Sequence, residues 1–229
     1  MISKTMGQRE KQKKSRKVGI FVAHPDDETL WAGGTLLKHP EWECFIYTLC
    51  RRSDPDRSRK FFEAVKLLKA AGEMGDLDDG PDQRPLDETT VNKTVKNLIR
   101  GRKFDLLITH SPWGEYTRHR RHEEIGKAIL SLWGNSGIQT NEMWFFAYED
   151  GHGAYLPHAE KNAHRTFHLP KPVWERKYSF ITDIYGFSLN SWEAQTSPKV
   201  EAFWCFDSPK SCNKWFRKKE KKIENIGSL

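Results

Sequence analysis

The segment VGIFVAHPDDETLWAGG, residues 18–34, is apolar through Ala23 and then presents His24, Asp26, Asp27 and Glu28 in quick succession. His24 and Asp27 lie three apart across the turn that ends the apolar run, a spacing at which an imidazole nitrogen and a carboxylate oxygen can meet one ion. The segment RHRRHEE, residues 118–124, offers a second pair at the same spacing, His119 and His122. Two histidines and one aspartate leave a coordination position open for water, the pattern of a catalytic rather than a structural zinc site. Zinc so held lowers the pKa of that water to roughly 7 and polarises a carbonyl. Hydrolysis then needs only a base, and Asp26 is the adjacent unused carboxylate.

Plainer readings exist for each cluster. Asp26 or Asp27 is a natural helix N-cap, and His119 and His122 fit a solvated polar helix face. The elements that carry the clusters weigh against both. Apolar runs over 17–23, 43–49, 104–110 and 142–148 read as strands. Between them, helical periodicity runs from Asp27 or Glu28 to about Leu37, from a cap at Asp56 to Gly72, from Asp87 to Gly101, and from about Arg118 to Leu132. Residues 73–85 read as a loop, 172–186 as a helix and 200–206 as a terminal strand. This alternation predicts an α/β fold: one domain with a largely parallel sheet and helices on both faces. Each charged cluster falls just after a strand: His24–Glu28, Arg51 with Arg52, His110–His122, and Glu149, Asp150 and His152. Ligands bind outside the carboxyl ends of parallel strands, so the clusters are expected on one rim. Independent caps have no reason to converge there.

The run AHPDDETLWAGG closely resembles the signature of the LmbE/PIG-L family of metal-dependent N-deacetylases, and HRRHEEIG is similar to the family's second histidine motif. The motif order covers residues 17 to about 150. The resemblance implies a Rossmann-like fold, usually with zinc, although another divalent metal such as Fe2+ is compatible, and substrates of the N-acetylglucosamine type on varied aglycones. It implies that His24, Asp27 and His122 bind the metal, that Asp26 is the general base for attack by a metal-bound water, and that His119 stabilises the oxyanion or assists proton transfer. Arg120 and Arg121 stand where Pro and Asp are common, and Trp31 stands where a small residue is common, which suggests a bulkier pocket wall. The family's Arg, three before a Glu on the helix after the second strand, corresponds to Lys60, with Arg59 beside it. Arg59, Lys60, Arg51 and Arg118 are therefore the substrate-binding candidates. The arginines near the rim, Arg51, Arg52, Arg118, Arg120 and Arg121, suggest an anionic substrate group unless they pair with Glu115, Glu123 and Glu124.

The chain has 229 residues, of which 37% are hydrophobic and 12% aromatic, enough for a substantial core and against a disordered chain. Of the formal charge of +7, residues 1–17 carry +6 and residues 210–229 carry +5, which leaves −4 for residues 18–209. The basicity thus belongs to a mobile arm over 1–16 and a tail over 210–229 that flank a deacetylase-like domain over 17–209. No specific nucleic-acid partner is expected. The competing function is a binding module that holds RNA or an anionic surface through the tails with Trp215 and Phe216. A non-haem iron enzyme on the same two-histidine, one-carboxylate site is another. Cys44, Cys50, Cys205 and Cys212 lack a C-x-x-C spacing, and neither a signal peptide nor a membrane-spanning run is evident, which favours a cytoplasmic setting. A homo-oligomer is compatible with the sequence, and the expected partner is a small amino-sugar or glycoconjugate.

Overall fold

The computed structural model describes residues 15–116 and 118–226, with side chains described through residue 219. In chain order the elements are β1 (Lys17–Val22), α1 (Asp27–Lys38), β2 (Glu43–Cys50), α2 (Pro55–Leu67), β3 (Ala71–Leu77), α3 (Glu88–Ile99), β4 (Phe104–Thr109), α4 (Arg120–Gly134) and β5 (Thr140–Phe146). The two-residue β6 (Tyr148–Glu149) and β7 (His158–Ala159) pair with each other. They are followed by β8 (Arg165–His168), α5 (Lys171–Ser179) with a π-helical turn over Phe180–Ile184, α6 (Trp192–Thr196), β9 (Val200–Phe206) and α7 (Pro209–Ile226).

Burial on both faces explains why the central strands are continuously apolar. In β1, Val18, Ile20 and Val22 enter one cluster with Leu30 of α1 and Phe61 and Val65 of α2, while Phe21 enters another with Val95 of α3 and Ile129 of α4. The seven strands run β3-β2-β1-β4-β5-β9-β8. The first five are parallel, and β9 is antiparallel to both of its neighbours. The fold is the expected Rossmann-like α/β arrangement in one domain. From β1 the chain builds outward through β2 and β3, then returns to the other side of β1 as β4. The crevice outside the ends of β1 and β4 is therefore the switch point at which such sheets bind ligands.

Several local expectations are corrected. The segment read as the end of a helix and a loop contains β3. The helix α2 instead stops at Leu67, where Lys69 takes φ 55° and turns the chain. As a half-exposed edge strand with two glycines and two acids, AGEMGDL lacks the usual strand signature. The cap of α2 is Asp54, which accepts from Asp56 N and Arg57 N, with Pro55 at the first helical position. Most of the basic arm, residues 1–14, lies outside the described residues.

The boundary placed at residue 210 is not a break either. Spacing brings Cys212, Trp215, Phe216 and Lys219 to one stripe of α7, and Cys212 and Phe216 are buried against the sheet. Lys219 Nζ lies 5.3, 4.8 and 5.4 Å from the ring centres of Trp113, Trp204 and Trp215 and ion-pairs with Glu160 at 2.8 Å. The aromatic pair proposed for nucleic-acid contact is thus engaged in packing.

One buried ion pair ties the C-terminal third to α1. Glu201 of β9 accepts from Lys177 Nζ of α5 at 2.9 Å, from Gly34 N at 2.8 Å and from Thr35 N at 2.6 Å, and both charged side chains are fully buried. Gly34 also lets the Leu169 side chain pack against α1, since a Cβ there would collide with it. Glu201→Ala is expected to lower stability by about 3–5 kcal/mol, because it strands a buried ammonium. Chemical denaturation should find the double variant Glu201→Ala, Lys177→Met more stable than that single variant.

Candidate metal and catalytic site

The crevice at the switch point is a cavity of about 490 Å3 lined by His24, Asp26, Asp27, Arg51, Arg57, Asp79, Tyr116, His119, Trp192 and Glu193 among others. His24 and Asp27 arrive on the turn from β1 into α1. His119 and His122 arrive at the start of α4, which approaches the end of β4 closely because residue 126 is glycine. A Cβ at Gly126 would lie 2.6 Å from His110 O.

Asp27 is the hub. Its Oδ2 accepts from His24 N at 2.9 Å and lies 3.2 Å from His24 Nδ1, 3.3 Å from His122 Nε2 and 3.4 Å from His110 Nε2. Its Oδ1 accepts from Trp31 Nε1 at 3.1 Å. Trp31 is fully buried, so it is a partner of Asp27 rather than the bulky pocket wall expected from sequence.

Three overlapping groups come close enough to share an ion: His24, His119 and His122; Asp27, His110 and His122; and His24, Cys50 and Asp79. Hydrogen bonding sorts them. His110 Nε2 accepts from Ala23 N at 2.9 Å and its Nδ1 faces Glu115 at 2.9 Å, so both of its nitrogens are used. Cys50 is buried, which pushes its thiol pKa up and disfavours the thiolate a metal needs. His122 Nδ1 faces Glu115 Oε2 at 2.7 Å, while its Nε2 is buried with no hydrogen bond. A proton on Nδ1 therefore leaves an Nε2 lone pair without a partner beside Asp27. His24 is arranged the other way round, with Nε2 facing Asp79 Oδ1 at 3.1 Å and Nδ1 facing Asp27.

None of the three groups contains His24, Asp27 and His122 together, but His24 and Asp27 each share one with His122, and both imidazoles stand beside Asp27 Oδ2, so the donor types suit an ion that these three residues would hold. For ligand bonds of about 2.0–2.1 Å, neighbouring ligand atoms of a tetrahedron lie about 3.3–3.4 Å apart. The two contacts to Asp27 Oδ2 match that length. The two carboxylates behind the histidines supply the outer partners that fix imidazole tautomers at metal centres. Burial alone would raise the pKa of each, yet the His110 and His122 contacts bring Glu115 down to about 2. Hydrogen bonds from His24 and Gln83 and the charge of Arg51 hold Asp79 below the usual carboxylate range. Asp79 was assigned no role from sequence, and Glu115 was named there only as a partner for the rim arginines, whereas it faces His110 and His122. Glu115 sits in an irregular Pro/Gly loop, and Asp79 follows the strand that was missed.

Asp26 faces the same cavity with no hydrogen bond on its carboxylate among the described residues. Its φ of 115° is strained for a residue with a Cβ. Its N–H donates to Glu28 Oε2 at 3.1 Å, and Glu28 Oε1 accepts from Tyr185 Oη at 2.6 Å and Thr29 Oγ1 at 2.6 Å. Burial first, and then the neighbouring Asp27 charge, raise the Asp26 pKa well above the ordinary range. His119 is the N-cap residue of α4. Its Nδ1 is buried without a partner, and burial together with the nearby His122 and His24 pushes its pKa down to about 3.

The substrate-binding expectations fare differently. Arg51 lines the cavity but is ion-paired to Asp79 at 2.6 Å. Arg59 and Lys60 both turn to Asp56, at 3.3 and 2.6 Å, and lie outside the cavity lining. Arg57, one turn nearer the strand ends, takes that place. Arg118 forks onto Glu123 at 2.6 and 2.9 Å, Arg120 donates to Gln83 O at 2.7 Å, and Arg121 pairs with Glu124 at 2.5 Å. These rim arginines are structural. Glu149 is satisfied by Tyr155 Oη at 2.6 Å and His158 at 3.1 Å, so the fourth cluster does not join the cavity.

Residues 20–133 match the family model described as PIG-L: GlcNAc-PI de-N-acetylase. An uncharacterised protein of Acanthamoeba polyphaga mimivirus is 23% identical over 177 residues, 71% of this chain and 75% of its own. N,N'-diacetylchitobiose deacetylase from Pyrococcus horikoshii, solved with its inhibitor MPG, is similar with a TM-score of 0.64 and 16% identity over 85% of each chain. A conserved protein of Thermus thermophilus has a TM-score of 0.59 and 16% identity over 82% of this chain and 93% of that one. A deacetylase of the teicoplanin biosynthesis pathway has a TM-score of 0.59 and 13% identity over 84% and 98%. At these identities the structural likeness is one of fold.

Replacing the outer carboxylates tests the arrangement without reference to turnover. Asp79→Ala and Glu115→Ala should each weaken zinc binding by about 10- to 100-fold in competition with a chelating dye. Lys60→Ala, which removes an ammonium paired with Asp56 outside the cavity lining, should leave that affinity unaltered.

Proposed function

As residues 20–133 of the chain are a PIG-L family domain, we propose that the protein is a zinc-dependent amide hydrolase that removes the acetyl group from an N-acetylglucosamine-type sugar or conjugate. The observation that carries this reading is the company Asp26 keeps. A buried carboxylate on a strained backbone, with no hydrogen bond among the described residues, shares one cavity with His24 and Asp27, and the partnerless Nε2 of buried His122 lies 3.3 Å behind Asp27 Oδ2. The family description and the deacetylases among the similar folds support an N-acetyl sugar as substrate.

In this reading His24, Asp27 and His122 hold the ion, which supplies Lewis acidity to the acyl carbonyl and to the attacking water. Asp26 takes the proton that water loses as its oxygen joins the acyl carbon. Its raised pKa makes it a stronger base than an exposed carboxylate, and Glu28 holds the backbone turn that aims it. His119 is kept neutral by burial, so it acts through a ring N–H, donated to the carbonyl oxygen as negative charge gathers there. As the carbon–nitrogen bond breaks, Asp26 passes its proton to the departing amine. The products are acetate and the free amino sugar.

The test is acetate release from N-acetylglucosamine and N,N'-diacetylchitobiose, abolished by a chelator and restored by zinc. Asp26→Asn should keep its metal and lose about 10²- to 10⁴-fold in kcat. Loss of metal from Asp26→Asn as complete as from Asp27→Ala would overturn the division of roles. Iron-dependent oxygen consumption without acetate release would overturn the hydrolase reading.

A further inference from the structure

Part of the cavity's wall comes from outside the matched family domain. Trp192 and Glu193 open α6, about sixty residues beyond the end of the match at residue 133. Trp192 is half-buried, and its ring centre lies 4.7 Å from that of Tyr116 and 6.3 Å from that of Trp31. Tyr116 in turn packs 5.5 Å from His122. A rigid aromatic ladder thus runs from the metal-ligand candidates to an indole on the cavity wall. Trp31 anchors it through its bond to Asp27, and Ser191 Oγ accepts from Ala194 N to fix the start of α6.

Two polar groups that line the cavity with this indole make no hydrogen bond or ion pair among the described residues. The Glu193 carboxylate makes no hydrogen bond or ion pair among the described residues. The Arg57 guanidinium makes none either, although its Nη1 is buried and its Cζ sits 4.9 Å over the Phe187 ring. Leaving a buried donor unpaired is unfavourable, and a ligand oxygen removes that cost. One free acceptor and one free donor in a cavity with an aromatic plane match a hydroxylated ring, whose hydroxyls both donate and accept and whose carbon face is apolar. They match an anion poorly. Apart from the carboxylates assigned to the ion and to catalysis, Asp79 is paired with Arg51 and Glu193 has no ion pair among the described residues. A phosphate near Glu193 would meet an uncompensated negative charge.

We propose that Trp192, Glu193 and Arg57 form a sugar subsite in which the substrate's pyranose ring stacks on Trp192, and that this subsite selects uncharged N-acetyl sugars over phosphorylated ones. The inference rests on the deacetylase reading and adds what that reading leaves open, the residues that choose the substrate. It replaces the anion-reading rim suggested by the arginine count, because Arg51, Arg118, Arg120 and Arg121 are bound to protein carboxylates and carbonyls.

The experiment compares wild type, Trp192→Ala and Glu193→Gln on three amides: N-acetylglucosamine, N-acetylglucosamine 6-phosphate and the ringless N-acetylethanolamine. Amine release gives kcat and KM, and calorimetric titration with N-acetylglucosamine gives binding apart from turnover. Trp192→Ala should raise KM for N-acetylglucosamine about tenfold and weaken its calorimetric binding in parallel, with kcat falling less than about threefold, the signature of lost ring contact. Wild type should prefer the neutral sugar to its phosphate, and Glu193→Gln should narrow that preference as the repelling charge is removed. Unaltered sugar binding in Trp192→Ala, or a wild-type preference for the phosphate, would overturn the subsite while leaving deacetylation standing. Absence of amine release from every substrate would overturn the deacetylase reading, and the titration with Trp192→Ala would still decide the subsite.

Discussion

A carboxylate taken out of water stays ionised only if something replaces the lost hydration. Asp27 is buried at the first position of α1, where the His24 backbone N–H and the Trp31 indole donate to it and nitrogens of three imidazoles stand 3.2–3.4 Å from its Oδ2, placed to share a cation with it. Those partners come from β1, α1, the end of β4 and the start of α4, so they can meet only if β1 and β4 are neighbours with parallel ends. The sheet order that places β4 beside β1 is therefore a condition for this one side chain to be tolerated. The same crossing point opens the crevice in which the other polar groups collect.

Around that hub the surrounding residues decide which nitrogens are available. Glu115 takes the Nδ1 sides of His110 and His122, and the Ala23 N–H occupies His110 Nε2, so of this pair only His122 keeps a nitrogen without a partner. Asp79, held by Arg51 and Gln83, does for His24 what Glu115 does for His122. The strained backbone at Asp26 is stabilised by Glu28, which is held in turn by Tyr185 beyond the π-helical turn. The C-terminal third thus reaches the turn at Asp26 through Tyr185 and Glu28, packs Trp192 on Tyr116 and Trp31, and is locked to α1 by the Glu201–Lys177 pair.

The parallel order and the central site were legible because they depend on local signals: apolar runs that end in His24–Asp27, and two histidines three apart at a helix start. What escaped depended on tertiary placement. The edge strand β3 hides behind glycines and acids, and with it went Asp79, the residue its end delivers. Arg57 rather than Lys60 faces the cavity because the first turn of α2 lies nearest the strand ends, which spacing to Glu63 cannot reveal. Trp31 reads as pocket bulk in one dimension and is a donor to Asp27 in three. The basic C-terminal segment reads as a tail by charge, yet Cys212, Trp215, Phe216 and Lys219 form a packing stripe visible only once the Trp113 and Trp204 surface is in place.

The central claim is that the ion sits between the two imidazoles and Asp27, not at the neighbouring group that includes Cys50. X-ray absorption at the zinc edge, on the zinc-loaded full-length protein, tests this directly. The account predicts a shell of nitrogen and oxygen only, at about 2.0–2.2 Å, with imidazole scattering beyond it. A sulfur ligand at about 2.3 Å would place the ion with Cys50, His24 and Asp79 and contradict the account.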